Sequence, residues 1–510
     1  MNIATKHEPA RLSLATVALP SSWADRAVLL IGAGILLRLL VASTTGLSDT
    51  EAYYAQWARV PALSYYDHPP LVAWTTWVVQ RLSSAPWAVR VGPILYAAAF
   101  GGLLYRLGAR LFSPRAGFLA VAIVTAIPAF VFVGFLLNPE GLLAPLWILS
   151  LLLLDDLREH DEPWRPLLLG AVIGIAFLAK YTAVLAVPVV LLYVAGSRVT
   201  RRWLRRPSFY LAGALALAIT TPVVAWNYAH DWPSLRLHLA ERMVRPEGEG
   251  LFGALLRVGG GQLALFHPVL LPAFLALLAY SVHRARADER YRLLATASLP
   301  VLAFLLFVMA RAADSEPHWT MVAYAPLVVA AGGVLDESAG RLRSFAWGVL
   351  RASLLLSATV ATLYAVHLRS PALMNALPGF NPDADPLTET LGWEAVRDAV
   401  EARASLLGPR AVVAGAHNVL CGHLQSALDD TPPVYCASPR RTQFDFVGRR
   451  SPPESAPVVF VDSERYPSDA SQALPHHVCT RAQDVAVERG GRVLGRYRVH
   501  SCIPLATGAP

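Results

Sequence analysis

The sequence predicts a polytopic α-helical membrane protein, about eleven transmembrane helices long, that ends in an extracytoplasmic α/β domain. Three observations carry this. Hydrophobic residues make up 55% of the 510 and charged residues only 16%, where a soluble globular chain carries about 25% charged residues. Arginines fall in short clusters between apolar runs, as in "SRVTRRWLRRPS" (Ser197 to Ser208). All four cysteines, Cys421, Cys436, Cys479 and Cys502, lie in the last fifth of the chain.

Each element follows in chain order. Residues 1–26 form a polar segment with Lys6, Arg11 and Arg26, read as cytoplasmic and followed by a signal anchor. Apolar stretches long enough to span are then expected at about 27–45, 87–112, 116–136, 140–155, 165–181, 182–197, 208–226, 262–282, 293–311, 319–335 and 344–366. Together 27–366 make the transmembrane domain. Segment 46–86 is its first outer loop, and 367–510 form the tail domain.

The arginines orient the chain. With a cytoplasmic N-terminus, the inner turns hold Arg110 and Arg115, Arg158 and Arg165, five arginines from Arg198 to Arg206, four from Arg284 to Arg292, and Arg341 and Arg343. Short cytoplasmic loops carry this excess of basic residues. An odd number of spans puts the tail on the outer side of the membrane. Four cysteines confined to one polar segment fit disulfides in an oxidising compartment, with three pairings open. Buried free thiols are the competing reading. The net charge of +8 fits membrane anchoring better than nucleic-acid binding, because no aromatic interleaving or binding motif accompanies it. No cluster has metal-ligand spacing, so no metal is predicted. Whether a divalent ion serves as cofactor stays open.

The unusual chemistry lies in the outer segments. "LSDTEAYYAQWARVPALSYYDHPPL" (Leu47 to Leu71) brings Asp49, Glu51, Asp67 and His68 into one loop at the membrane surface. An interfacial helix would explain its aromatic residues but not its carboxylates, and the prolines of "DHPP" restrict the residues before them. Glu140 follows Asn138 and Pro139, either as a helix-start acid or as a site residue. Lys180 and Tyr181 interrupt an apolar run. A lysine at that depth snorkels or faces an anion. His230 in "WNYAHDWPS" and His318 in "DSEPHWTM" stand at outer helix ends, beside acids and tryptophans. Carboxylates beside a cation at the outer face of an apolar body suit a transferase: the cation for a lipid phosphate, a carboxylate for a hydroxyl proton.

The segments "EAYYAQWARVPALSYYDHPPL", "GIAFLAKYTAVLAVP", "TPVVAWNYAHDWPS", "GGGQLALFHPVLL" and "EPHWTMVAYAPL", in this order and spacing, resemble bacterial membrane glycosyltransferases of the protein-mannosyltransferase and aminoarabinose-transferase type. The tail segment "PPVYCASPRRTQFDF" is similar to the outer domain of such enzymes. The resemblance implies a GT-C fold and inverting transfer of a sugar from a polyprenyl-phosphate carrier to an outside acceptor, such as lipid A, a glycan or a protein. It also implies catalytic acids at Asp49, Glu51 and Asp67. The family's Asp-Glu pair is interrupted here by Thr50, which leaves the base open between Asp49 and Glu51. By the same resemblance Lys180 binds the donor phosphate, Glu140 is the acid of the second outer turn, and Tyr54 and Tyr65 are pocket tyrosines. His68 stands where a relative carries lysine. Tyr181, His230 and His318 complete the expected binding set. The competing classes are a transporter or flippase of a lipid-linked sugar, which tends to show internal repeats, and a non-catalytic envelope-assembly protein.

Overall fold

A computed structural model describes residues 22–505 except 84, 246–247, 378, 383–384 and 481. Most of the N-terminal polar segment, with Lys6 and Arg11, lies outside the described residues. The helical part runs α1 (Trp23–Ala42), α2 (Asp49–Trp57), α3 (Leu71–Gln80), α4 (Val91–Leu111), α5 (Pro114–Val124), α6 (Pro128–Val133), α7 (Pro139–Asp156), α8 (Trp164–Ala179), α9 (Ala186–Gly196), α10 (Pro207–Ile219), α11 (Thr221–Ala229), α12 (Pro233–Arg236), α13 (Leu251–Phe266), α14 (Leu270–Arg284), α15 (Glu289–Arg311), α16 (Met321–Glu337) and α17 (Gly340–Arg369). Serine, asparagine or aspartate side chains cap several starts: Ser22 for α1, Ser48 for α2, Ser113 for α5, Asn138 for α7 and Asp288 for α15.

Among the described residues, four helices are long and apolar enough to cross a membrane: Pro86–Leu111, Glu289–Arg311, Pro317–Glu337 and Gly340–Arg369. Two bent pairs pass the same test together, α10 with α11 at 43° and α13 with α14 at 100°. The single span expected over 262–282 is therefore corrected. His267 takes φ +79° and Pro268 follows it. The proline lacks an amide proton and disfavours helix at the residue before it, so the chain turns sharply between α13 and α14. The stretch 116–136 is likewise divided, between α5 and α6. Leu29, Leu217, Phe307 and Leu355 stand on the outside of the helical body, an apolar surface of the kind that lipid covers.

The arginine-bearing turns meet at one end of the bundle. Arg110 and Arg158 both bind Asp155 at 2.6 Å, Arg202 donates to the Leu157 carbonyl at 3.2 Å, Arg292 to the Gly196 carbonyl at 3.0 Å, and Arg290 binds Glu337 at 2.8 Å. The first loop, the Lys180 turn and the tail gather at the other end, as the contacts below show.

The tail continues with α18 (Ala372–Ala376), α19 (Trp393–Leu407), β1 (Val412–Gly415), α20 (Asn418–Ala427), β2 (Val434–Cys436), β3 (Val458–Ser463), α21 (Ala470–Ala473), β4 (His477–Cys479), β5 (Gln483–Arg489) and β6 (Arg492–Pro504). The sheet order is β2-β1-β3-β6-β4, with β5 also on β6. The three strands β2, β1 and β3 are parallel, and β6 runs antiparallel to β3, β4 and β5. Continuous apolar runs such as Val458–Val461 suit strands buried on both faces.

The two disulfides expected of the four cysteines reduce to one. Cys479 and Cys502 are directly opposite on β4 and β6 and are bonded. Cys421 on α20 and Cys436 on β2 are buried free thiols that face each other, and burial with the neighbouring thiol holds the Cys421 pKa well above its ordinary value.

Candidate active site

The first loop is built as a rigid insert. Ser48 caps α2 and Glu51, three residues on, reaches back to the Ser48 amide at 3.0 Å, a reciprocal capping box. Tyr65 stacks on Trp57 with ring centres 5.0 Å apart. Its hydroxyl donates to the Trp57 carbonyl at 3.1 Å and accepts the Ala62 amide at 3.0 Å. Trp57, Tyr53 and Tyr65 share one apolar cluster with Val396, Leu424 and Phe444 of the tail, so loop and tail have a common core. Gly422 permits this contact, since a Cβ there would sit 2.8 Å from the Ala52 backbone.

Four of the expected site residues serve this frame. Both oxygens of Glu51 are taken: Oε1 by Arg90 at 2.8 Å and the Leu137 amide at 3.3 Å, Oε2 by Arg90 at 2.7 Å and the Ser48 amide. An ionised carboxylate has about four lone-pair sites, and four donors meet those of Glu51, so the residue expected as a base stands in a buried ion pair with Arg90. Asp49 binds His423 at 3.0 Å and Arg465 at 3.0 Å, both from the tail, so it clamps loop to tail instead of standing free. Tyr65, expected as a pocket tyrosine, has its hydroxyl engaged by backbone and its ring in the core shared with the tail. His230 stacks on Trp226 at 4.4 Å, donates through Nδ1 to the Trp226 carbonyl oxygen at 2.7 Å, and packs on Phe446. It belongs to an aromatic support.

The remaining expected residues converge. Lys180, at the end of α8, is ion-paired with Glu140 at the start of α7, and His318 Nε2 lies 3.0 Å from the same Glu140 oxygen. Trp319 covers the ammonium, with its ring centre 5.8 Å away. Asp67 Oδ2 accepts the Tyr53 hydroxyl at 2.6 Å, and Oδ1 faces Arg242 at 3.5 Å. Arg242 also reaches Asp314 at 3.3 Å. His68 lies edge-on to Tyr54 at 5.7 Å and 6.0 Å from His238. His238 bonds the Asp67 carbonyl oxygen at 2.7 Å and meets the Tyr181 ring at 5.1 Å. Thus Tyr54, Asp67, His68, Glu140, Lys180, Tyr181 and His318 form one polar cluster where the first loop meets the ends of α7, α8 and the turn before α16.

The turn that bears His238 and Arg242 follows from its sequence. Asp231 and Trp232 both take left-handed backbone, φ +60° and +57°. The chain reverses there, the Trp232 amide donates to the Asn227 carbonyl at 2.7 Å, and the Ser234 amide to Asn227 Oδ1 at 3.2 Å. Ser234 then donates to the Tyr65 carbonyl at 3.2 Å, which docks the turn on "YYDHPP". Gln443 of the tail completes the wall, with Oε1 accepting the Tyr66 amide at 2.8 Å and its own amide donating to the Tyr53 hydroxyl at 3.1 Å.

Burial governs protonation here. It raises the Asp67 carboxyl above its ordinary value, against the opposing pull of Arg242 and the Tyr53 hydroxyl. It lowers the His68 imidazole well below the usual range, helped by Lys180, His238 and Arg242. His238 is pushed down to about 4 by burial and then by Arg242. Both rings are neutral near pH 7, and the buried Nδ1 of His68 has no partner among the described residues. Arg242 thus stands beside the partly buried Asp67 carboxylate, which keeps one less engaged oxygen, and Lys180 lies by the adjacent His68. Such a set can neutralise a phosphate and take a hydroxyl proton.

Sequence reasoning missed Tyr53, His238, Arg242 and Gln443. Tyr53 was absorbed into the interfacial reading. The basic residues of "RLHLAERMVRP" in an outer segment were the signal for the other loop residues. Gln443 sat inside a tail motif with no hint of its partner. No group of three or more His, Cys, Asp or Glu among the described residues is arranged to hold a metal.

Residues 67–226 match the sequence profile of the dolichyl-phosphate-mannose-protein mannosyltransferases. The lipid A galacturonosyltransferase RgtD of Rhizobium johnstonii is 27% identical over 314 residues, 59% of this chain and 63% of that protein, so the chain matches less than two thirds of this relative's length. ArnT from Cupriavidus metallidurans in the apo state superposes over 96% of this chain and 100% of its own, with TM-score 0.61 and 17% identity. The same ArnT bound to undecaprenyl phosphate gives TM-score 0.62 and 17% identity over 95% and 99% of the two chains. The chain has the fold of the GT-C membrane glycosyltransferases, as its linked motifs implied.

Proposed function

We propose that this protein moves a sugar from a polyprenyl-phosphate carrier to an acceptor on the outer side of the membrane, with inversion at the sugar carbon. The observation that carries the reading is the convergence of Lys180, Arg242 and Asp67 at one end of an apolar helical body. RgtD acts on lipid A by its name, and ArnT has been solved with undecaprenyl phosphate. ArnT supports a polyprenyl-phosphate donor, and RgtD supports a lipid A acceptor.

In this mechanism Lys180 and Arg242 hold the phosphate that links lipid to sugar. Glu140 and His318 keep the Lys180 ammonium in place, and the free Nδ1 of His68 meets a phosphate oxygen. Asp67 takes the proton of the attacking hydroxyl on Oδ1. The acceptor oxygen bonds the sugar carbon, the bond to the phosphate oxygen breaks, and the electron pair leaves on the lipid phosphate between the two cations. Tyr54 and Tyr181 line the space beside Asp67. The base left open between Asp49 and Glu51 is thereby assigned to Asp67, with Asp49 and Glu51 supporting it.

The rest of the sequence reading joins this proposal: about eleven spans, a cytoplasmic N-terminus, an inner-membrane location, and divisions at 1–26, 27–366 and 367–510. The arginine turns at the end opposite the site fit that orientation under the positive-inside rule.

The test is transfer of labelled sugar from a polyprenyl phosphate to lipid A by the purified protein in a bilayer. Label in the acceptor supports the reading. Label that crosses the bilayer still attached to its carrier would favour the transporter reading instead.

A further inference from the structure

The geometry points to Tyr53 as a positioning residue through which the tail domain sets the reactive oxygen of Asp67. This rests on the reading that Asp67 is the base. The Tyr53 hydroxyl donates to Asp67 Oδ2 at 2.6 Å and accepts the Gln443 amide at 3.1 Å. Oδ2 is therefore occupied, and Oδ1, which faces Arg242 at 3.5 Å, is the less engaged oxygen and the one placed to take a proton.

The arrangement is a short relay. An amide that donates to a phenol oxygen polarises the phenol, and hydrogen bonds in such a chain strengthen one another. The tail supplies that amide from a fixed place. Thr442 caps the turn Gln443–Val447 in a reciprocal box with Asp445, and the Gln443 side chain accepts the Tyr66 amide, next to Asp67. The tail thus grips the Asp67 segment on both sides, by way of Tyr53 and of Tyr66. This gives the tail a part in transfer that docking alone would not need.

Among the described residues, few groups face Asp67. Tyr53 and Tyr54 come from α2, Tyr66 from its own segment, Tyr181 from the turn after α8, His238 and Arg242 from the turn after α12, and Asp314 from the loop before α16. Of these, Tyr53 and Arg242 stabilise the carboxylate, whereas burial and Asp314 oppose it. Removing the phenol hydroxyl tips this balance toward the protonated acid, so the acid limb of the rate profile moves to higher pH.

The test is the pH dependence of kcat/KM for sugar transfer in the full-length protein. Tyr53→Phe is expected to lower kcat about ten- to hundredfold, the range for a hydrogen bond to a charged group, and to raise the acid limb. Incorporating 3-fluorotyrosine at position 53 keeps the ring and makes a better donor, so the acid limb should fall. It also covers the case in which Tyr53→Phe does not fold. Gln443→Pro removes the amide proton at the first position of a helical turn, where proline fits. Compared with Gln443→Ala, it should raise the acid limb, and that shift should vanish in a Tyr53→Phe background. An acid limb unmoved in Tyr53→Phe and in the fluorotyrosine protein, while Asp67→Asn abolishes transfer, overturns the role of Tyr53 and leaves the base assignment standing. Normal transfer by Asp67→Asn overturns the base assignment itself.

Discussion

Replacing Glu51 with glutamine should destabilise this protein rather than stop its chemistry. The Glu51 side chain is 0% exposed and that of Arg90 is 1% exposed. Arg90 spends its other donors on the Thr45 hydroxyl at 2.6 Å and on the Thr45 carbonyl at 3.1 Å, and it lies over the Phe135 ring at 4.6 Å. Glu51→Gln turns one of the two acceptors facing Arg90 into a donor and leaves a buried guanidinium without a counter-charge. Breaking one partner of a buried pair costs about 3–5 kcal/mol, or roughly two to three and a half decades in the folded ratio. Removing both charges, as in Glu51→Leu with Arg90→Met, should recover most of that loss, because apolar residues of similar volume often replace buried pairs without penalty. The assay is denaturant unfolding of all three proteins in one detergent–lipid mixture, with donor binding measured beside it. A Glu51→Gln protein of normal stability whose turnover has dropped by the roughly 10²–10⁴-fold of a lost general base would refute this, and Glu51 would be the base.

Lys180→Met removes the charge and keeps the stem, so donor affinity should weaken about ten- to hundredfold for one lost charge-assisted contact; titration with polyprenyl phosphate measures it. Non-reducing peptide mapping should find Cys479 joined to Cys502, with Cys421 and Cys436 alkylated only after unfolding. His238 has its folded pKa lowered from 6.5 to about 4, so the unfolded chain binds its proton more readily between those values. Its contribution is present above pH 6.5 and is lost as pH falls toward 4, and melting curves of the protein and of His238→Gln should draw closer over that interval.

How much of this the sequence displayed depends on the range of the interaction. Apolar runs and arginine turns depend on local composition, so most helices fall where hydropathy puts them. The break at His267–Pro268 escaped because a window average passes over a single proline in an apolar run. Lys180, Glu140, Asp67 and His68 stand out because a charge beside a membrane helix is costly and needs a partner. The partner's identity is another matter. Glu51 and Asp67 look alike in a loop, and only the three-dimensional positions of Arg90 and Tyr53 separate a saturated carboxylate from a less engaged one. The roles of Gln443 and His423 were illegible for the same reason, since each meets the first loop across more than 370 positions of chain. Tyr65 was drawn into the pocket by its place beside the "YDHPP" run, whereas its ring completes the core shared with the tail.

The account turns on Asp67 acting upon a sugar held by a lipid phosphate. Turnover and donor affinity of Asp67→Asn, measured on the same preparation in the same lipid, test it most directly. The change keeps the volume of the side chain and leaves Lys180 and Arg242 in place. Turnover should fall by about 10²–10⁴-fold while polyprenyl-phosphate binding stays within a few-fold of normal. Near-normal turnover would contradict the account and leave the "YYDHPP" loop a structural anchor.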